Sequence, residues 1–218
     1  PGFEADLAAE MLEKAALSGI GGAPRFERGG GHVRFEVVDG TSANEMHRAL
    51  PLASLVFARQ SLVALPPLTL DRADRLGAIM AQVRGSGWSC EAVWQETPDT
   101  NDAKALAGLI KALKRPLEAQ LRKAGVLRRK AGGRRLHLLW SDGDRVQLGM
   151  SFPGNRCEQL GGIRRLRFPS RAPSRSTRKL EEAWHEFVPA ERWPPRLCDG
   201  MQAADLGAAP GGWTWQLV

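Results

Sequence analysis

The chain opens with apolar residues at helical spacing. Over residues 3–17, FEADLAAEMLEKAAL, the positions Phe3, Leu7, Met11 and Leu17 fall near one face, which predicts an amphipathic helix ended by Gly19, Gly21 and Gly22. The period then changes to two. In HVRFEVV, Val33, Phe35 and Val37 alternate with Arg34 and Glu36, and with PRFER and the Gly29-Gly30-Gly31 turn they predict a hairpin. SANEMHRAL predicts a short helix capped by Ser42, and SLVFARQSLVAL a strand region. Helix, two strands, helix, strand becomes the split pattern of a ferredoxin-like domain if one strand precedes Pro1, and such a strand is expected.

Pro66 and Pro67 mark off a second α+β segment. LDRADRLGAIMAQV predicts a helix and SCEAVWQET a strand. Residues 101–125 predict a long helical region with Leu106, Leu109, Ile110, Leu113, Leu117 and Leu121 on one stripe, kinked or divided at Pro116. RRLHLLW and RVQLGMSF around SDGD predict a hairpin turning at Gly143. Residues 153–178, rich in Gly, Pro, Ser and Arg, lack periodicity and read as a linker ordered by contact. KLEEAWHEF then places Leu180, Ala183, Trp184 and Phe187 on one helical face, and MQAADL predicts a short apolar strand. No internal repeat is present.

At 218 residues and 43% hydrophobic, the chain is long enough for a sizeable core. No apolar run is long enough to cross a bilayer, and the acidic, amphipathic start is unlike a signal peptide, so a cytoplasmic protein is expected. Cys90, Cys157 and Cys198 are too few and scattered for a disulfide framework. The four histidines are dispersed, and WHEF around His185 lacks the second His of a zinc-protease helix, so no metal is expected.

The net charge of +7 is unevenly spread. Residues 111–135 carry ten Lys or Arg against one acid, Glu118, and residues 164–179 carry seven against none; elsewhere acids outnumber bases. Clustered positive charge suits a phosphate backbone, because each neutralised phosphate releases counterions. The candidate RNA contacts are Arg122, Lys123, Arg128, Arg129, Lys130, Arg134 and Arg135 in the first cluster, and Arg164, Arg165, Arg167, Arg171 and Arg175 in the second. The competing reading is a solvated basic face. An anionic membrane fits less well, since neither cluster has a bulky apolar face beside it.

The last residues, ADLGAAPGGWTWQLV, place Gly207, Gly211 and Gly212 after Asp205-Leu206, in the manner of the first β-α turn of a nucleotide-binding sheet. A P-loop would need a Lys where Trp213 follows Gly212, and a dinucleotide fingerprint would need a glycine at Ala209. An S-adenosylmethionine loop has no such needs: backbone N–H groups take the carboxylate, and Asp205 supplies negative charge near the cationic part. On its residues alone the turn is either such a loop or a bare helix cap. Trp213 and Trp215 read as packing residues rather than base-stacking platforms.

DLGAAPGGWTWQLV, together with APSRSTRKLEEAW upstream, closely resembles the paired motifs of the FtsJ-like ribose 2′-O-methyltransferases. PGFE, SLVFARQ and RLRFPSRAPSRST extend the likeness over the whole chain, toward members that set a ferredoxin-like and THUMP RNA-binding region before a Rossmann-like catalytic domain. The resemblance implies an α+β N-terminal ferredoxin-like/THUMP region followed by the start of an α/β Rossmann-like methyltransferase domain. Its segments are 1–66 ferredoxin-like, 67–152 THUMP-like, 153–173 linker and 174–218 the first part of the catalytic domain. It further implies a cytidine ribose in 23S rRNA as substrate, S-adenosyl-L-methionine as cofactor and a monomer.

By position, Ser176, Asp205, Gly207, Ala209, Pro210, Gly211 and Gly212 match cofactor-binding positions, and Lys179 matches the first lysine of a Lys-Asp-Lys-Glu tetrad. The family's other three tetrad members lie downstream, the deprotonating lysine among them, so the 218 residues by themselves are expected to be inactive. The alternative class is a non-catalytic RNA-binding module whose last segment merely resembles a methyltransferase entry.

Overall fold

The structure is a computed structural model that describes residues 1–100 and 102–218. It divides into two compact units, Pro1–Ile163 and Arg164–Val218.

In the first unit, α1 (Glu4–Leu17) begins with Glu4 and Asp6 and ends near Lys14, charges that oppose the helix dipole. It packs on a hairpin of β1 (Gly22–Arg25) and β2 (Arg34–Val37), registered Ala23 to Glu36. The face it buries is not the one that the large apolar residues predict. Glu4, Ala8 and Ala15 are buried, whereas Leu17 is 81% exposed and Phe3 is exposed, its ring stacked on Phe57. Small residues face inward because a helix lying close on a two-stranded ribbon leaves little room for bulk. Then α2 (Ala43–Ala49) starts as predicted: the Ser42 hydroxyl accepts the Glu45 N–H and the Glu45 carboxylate accepts the Ser42 N–H. Met46, Leu50, Ala15 and Ile20 close this small core.

The SLVFARQSLVAL region is strand only at β3 (Val63–Ala64). Before that, the Val56 and Phe57 N–H groups donate to Glu10, and Gln60 exchanges two hydrogen bonds with the Cys157 backbone. The segment's backbone donors go to side chains instead of a ladder, so it stays irregular.

β3 and β4 (Leu68–Thr69), on either side of Pro66-Pro67, both pair with β7. α3 (Arg75–Gly85) is capped by Asp74, whose carboxylate accepts the Gly77 N–H at 2.8 Å. β5 (Ala92–Glu96) runs parallel to β6 (Arg135–Asp142), with α4 (Ala107–Lys123) between them in sequence, and β6 turns back into β7 (Arg145–Ser151). The sheet order is β3-β7-β6-β5. α4 runs undivided through Pro116, because Leu117 and Leu121 seat it in the core on the far side of the proline. Of the predicted helical region, Asn101 lies outside the described residues.

Ile79 and Val83 of α3, Leu117 and Leu121 of α4, and Leu136, Leu138, Trp140, Leu148 and Met150 of the hairpin form the main core. Alternation along β6 turns His137 to the opposite face. There its Nδ1 donates to the Glu96 carboxylate at 2.5 Å and its Nε2 meets the Ser151 hydroxyl at 2.8 Å. The second Glu96 oxygen accepts the Gly161 N–H at 2.7 Å, tying the segment after β7 to the sheet.

The second unit holds α5 (Thr177–Phe187), the short α6 (Trp193–Arg196) and α7 (Gly212–Leu217). MQAADL is not a strand: residues 201–204 are exposed and irregular, and Leu206 is 95% exposed. A strand exists through pairing, and no strand lies beside this segment among the described residues.

Glu4 gives the first unit a measurable dependence on pH. Burial alone would raise its carboxyl, but the N–H groups around it, those of Gly31 and Gly2 at 2.8 and 3.0 Å among them, hold it down at about 2. Its contribution is complete above the ordinary value of 4.5 and is lost as pH falls from there toward about 2. Glu4→Gln should lower stability at pH 7 by about 2 kcal/mol and flatten the acid limb of a denaturation series; an unchanged acid limb would contradict this role.

Candidate functional site

Two sequence motifs some thirty residues apart meet in the second unit. Gly211 caps α7 with φ at 88°, a left-handed conformation that glycine adopts without strain, and its carbonyl accepts the Trp215 N–H at 2.8 Å. Gly212 is buried against the start of α5. A β-carbon there would collide with the Ser174 and Ser176 hydroxyls and lie 3.1 Å from the Thr177 nitrogen. Glycine at this position therefore sets the closeness of the two helix starts. The junction is reinforced by the Trp213 indole, which donates to the Ser176 carbonyl at 3.1 Å, and by the Thr214 hydroxyl, which donates to Asp205 at 2.7 Å.

The structure thus brings together Ser176, Gly211 and Gly212, with Asp205 held through Thr214. Gly207, with φ at 82°, and Gly211 both have open space where a β-carbon would point, while Ala209 and Pro210 are exposed. Lys179 stands exposed in the first turn of α5, its N–H donating to the Ser176 carbonyl. Ser174, which the cofactor set omits, shares the contact with Gly212; only the folded proximity reveals it. Trp213 and Trp215 are 46% and 37% exposed.

The basic residues divide by what already occupies them. Arg128 and Arg134 both donate to the Ser89 hydroxyl, at 2.8 and 2.7 Å, and Arg134 also donates to the Ala131 carbonyl. Glu91 accepts the Ala131 and Gly133 N–H groups at 2.7 and 3.0 Å, which lowers its carboxyl below the usual range. Ser89 and Glu91 thereby shape residues 128–134 into a loop with Arg129 and Lys130 exposed at its outer part. Arg122 is paired with Glu118 at 3.0 Å, while Lys123 has no ion pair among the described residues. Arg135 is inside: its guanidinium lies 3.5 Å from the Trp94 ring centroid and 2.8 Å from Glu158, which also holds Arg156. Charge alone suggests Arg135 as an RNA contact, and the fold uses that charge internally. In the second unit Arg165, Arg167, Arg171 and Arg175 are exposed and Arg164 half-buried.

Ser151, His137 and Glu96 have the order of a serine-nucleophile set, but all three are buried, so no substrate reaches them. Among the described residues no group of three His, Cys, Asp or Glu is placed to hold a metal ion. Among the described residues no helix is long and apolar enough to cross a membrane.

Comparison with known families assigns both halves of the first unit. A model described as the RlmM ferredoxin-like domain matches residues 1–62, and one described as ribosomal RNA large subunit methyltransferase M, N-terminal, matches residues 74–152. The Chromohalobacter salexigens protein named ribosomal RNA large subunit methyltransferase M is 70% identical over 219 residues, covering all of this chain and 61% of the relative. Proteins of the same name from Marinomonas and Tolumonas auensis are 43% and 45% identical, again over the whole chain and 62% and 60% of their own lengths. The chain belongs to the ribosomal RNA large subunit methyltransferase M family. It spans about 61% of the length of these relatives.

The Gly212 contact yields a local test. Gly212→Ala should separate α7 from α5, seen as faster amide exchange at Trp213–Leu217, with the melting of the first unit unchanged; retained protection in α7 would show that the space is not needed.

Proposed function

We propose that the protein acts in 2′-O-methylation of a cytidine ribose in 23S ribosomal RNA, using S-adenosyl-L-methionine. The meeting of the Ser174–Ser176 turn with the Gly211-Gly212 loop carries this reading, since these belong to the two motifs that resemble those of ribose methyltransferases. On the same reading residues 174–218 are the first part of a Rossmann-like catalytic domain, residues 1–66 and 67–152 are the ferredoxin-like and THUMP-like parts, and residues 153–173 link them. The setting is the cytoplasm and the protein works as a monomer.

The open space over Gly207 and Gly211 fits a ligand lying close on the backbone, where side chains would otherwise intrude. Ser176, Gly207, Ala209, Pro210, Gly211 and Gly212 would hold the cofactor, with Asp205 oriented by Thr214 toward its cationic part. When bound, the cofactor supplies an electrophilic methyl group on a sulfonium. A ribose hydroxyl is a weak nucleophile, so it must be positioned and must give up its proton as it attacks. Lys179, exposed and without an ion pair among the described residues, is assigned to orienting that hydroxyl.

RNA is held by the cations that the fold leaves unoccupied: Lys123, Arg129 and Lys130 in the first unit, and Arg165, Arg167, Arg171 and Arg175 with the half-buried Arg164 in the second. A non-catalytic RNA-binding module is the second reading, favoured only by this charge.

Unmodified ribosomal RNA and methyl-labelled S-adenosyl-L-methionine, given to a protein of the relatives' length carrying this sequence, should yield label on one cytidine ribose. Lys179→Ala should reduce transfer by about 100-fold or more, the scale of a lost acid-base or positioning group. No labelled ribose would leave the RNA-binding module, and transfer by the 218 residues alone would overturn the division of roles.

A further inference from the structure

We propose that Arg128 and Arg134, drawn together by the Ser89 hydroxyl, form a receptor for one phosphate of an RNA backbone. The inference rests on the RNA-binding reading above and places within it a built anion site in the first unit.

The chain entering β5 sets the geometry. Cys90 is fully buried in the core, so alternation turns its neighbours Ser89 and Glu91 to the other side. The Cys90 N–H donates to the Val126 carbonyl at 2.8 Å, and the Arg128 N–H donates to the Cys90 carbonyl at 3.0 Å. These bonds lay residues 126–128 beside Cys90 and bring Arg128 to Ser89. Arg134 arrives from the far end of the same loop, whose Ala131 and Gly133 N–H groups are fixed by Glu91. Two guanidinium groups from the two ends of one loop therefore meet on one oxygen, that of a residue only 5% exposed.

A hydroxyl positions these cations without neutralising them. Glu158 cancels charge on the arginines it holds, whereas Ser89 carries none, and neither Arg128 nor Arg134 has an ion pair among the described residues. Like charges drawn to a neutral oxygen repel, and an anion between them removes the repulsion. The donors for it are in place: Nε and Nη1 of Arg128 and Nη1 of Arg134 have no partner among the described residues. Planar guanidinium groups match phosphate oxygens with parallel N–H donors, and groups already held lose less freedom on binding. Arg129 and Lys130, exposed within the same loop, carry the positive charge onward, which suits a chain of phosphates better than a lone ion. The bonds to Ser89 fix both arginines from inside the first unit, however much of each side chain is exposed.

The test measures binding of a short single-stranded oligoribonucleotide to the 218-residue protein across a salt series. Arg128→Lys with Arg134→Lys keeps both charges and loses the paired donors; it should weaken binding by about 10-fold, the scale of one charge-assisted hydrogen bond, whereas Arg129→Lys should bind like wild type. Ser89→Ala, which leaves both charges and removes only the oxygen that gathers them, should weaken binding in the same direction. Arg128→Gln with Arg134→Gln should make the salt slope shallower by about 0.7, the value for one single-strand phosphate, where two separate contacts would give about twice that. Amide protection at Ala131 and Gly133 should persist in each variant, because Glu91 holds the loop independently. Strands ending in a 5′-hydroxyl and a 5′-phosphate should bind alike; binding that requires the 5′-phosphate would assign the receptor to a strand end and overturn the backbone assignment. If the paired lysine variant and Ser89→Ala both bind like wild type while Arg129→Ala with Lys130→Ala binds less, the receptor is refuted and the RNA reading stands. If the strand does not bind the wild-type protein, both fall.

Discussion

A backbone N–H buried without a partner costs about as much as a lost hydrogen bond, and this chain has many irregular segments whose donors need acceptors. Carboxylates supply them. Glu4 takes N–H groups from Gly2 and Gly31, Glu10 those of Val56 and Phe57, Glu91 those of Ala131 and Gly133, and Glu96 that of Gly161. Each joins segments distant in sequence, the loop before β3 to α1, the basic loop to β5, the segment after β7 to the sheet.

This use of acids decides what the cations can do. A carboxylate turned toward the backbone still carries its charge: Glu10 also pairs with Lys14 at 3.1 Å, whereas Glu91 has no ion pair among the described residues. Glu91 is the clearest case: it orders the loop from inside and leaves Arg129 and Lys130 exposed. Where a carboxylate does take arginines, as Glu158 takes Arg135 and Arg156, those cations become part of the fold. Formal charge thus overstates the number of cations open to a ligand, and side-chain occupancy separates them from those the fold uses.

Much of the fold was legible in the sequence because it is set by local chemistry. Ser42 with Glu45 announces a helix start, alternation around Gly143 announces a hairpin, and the leucine stripe of α4 survives Pro116. What could not be read depends on neighbours distant in sequence. Ala8 and Ala15, not Leu17, face the hairpin because of how closely α1 approaches it. MQAADL has strand composition, but composition does not provide a partner strand. At the candidate site both motifs were visible, while their contact through Gly212, the part played by Ser174 and the withdrawal of Arg135 beneath Glu158 required the folded chain.

The account turns on the division between cations that the fold consumes and cations that it leaves open. The direct measurement is the affinity of the protein for a ribosomal RNA fragment across a salt series, with Arg129→Gln/Lys130→Gln set against Arg135→Met. The account predicts that log K falls linearly with log salt, that the paired loop substitutions make this slope shallower by about one to two, and that Arg135→Met lowers thermal stability with the slope unchanged. A slope altered by Arg135→Met and untouched by the loop substitutions would contradict it.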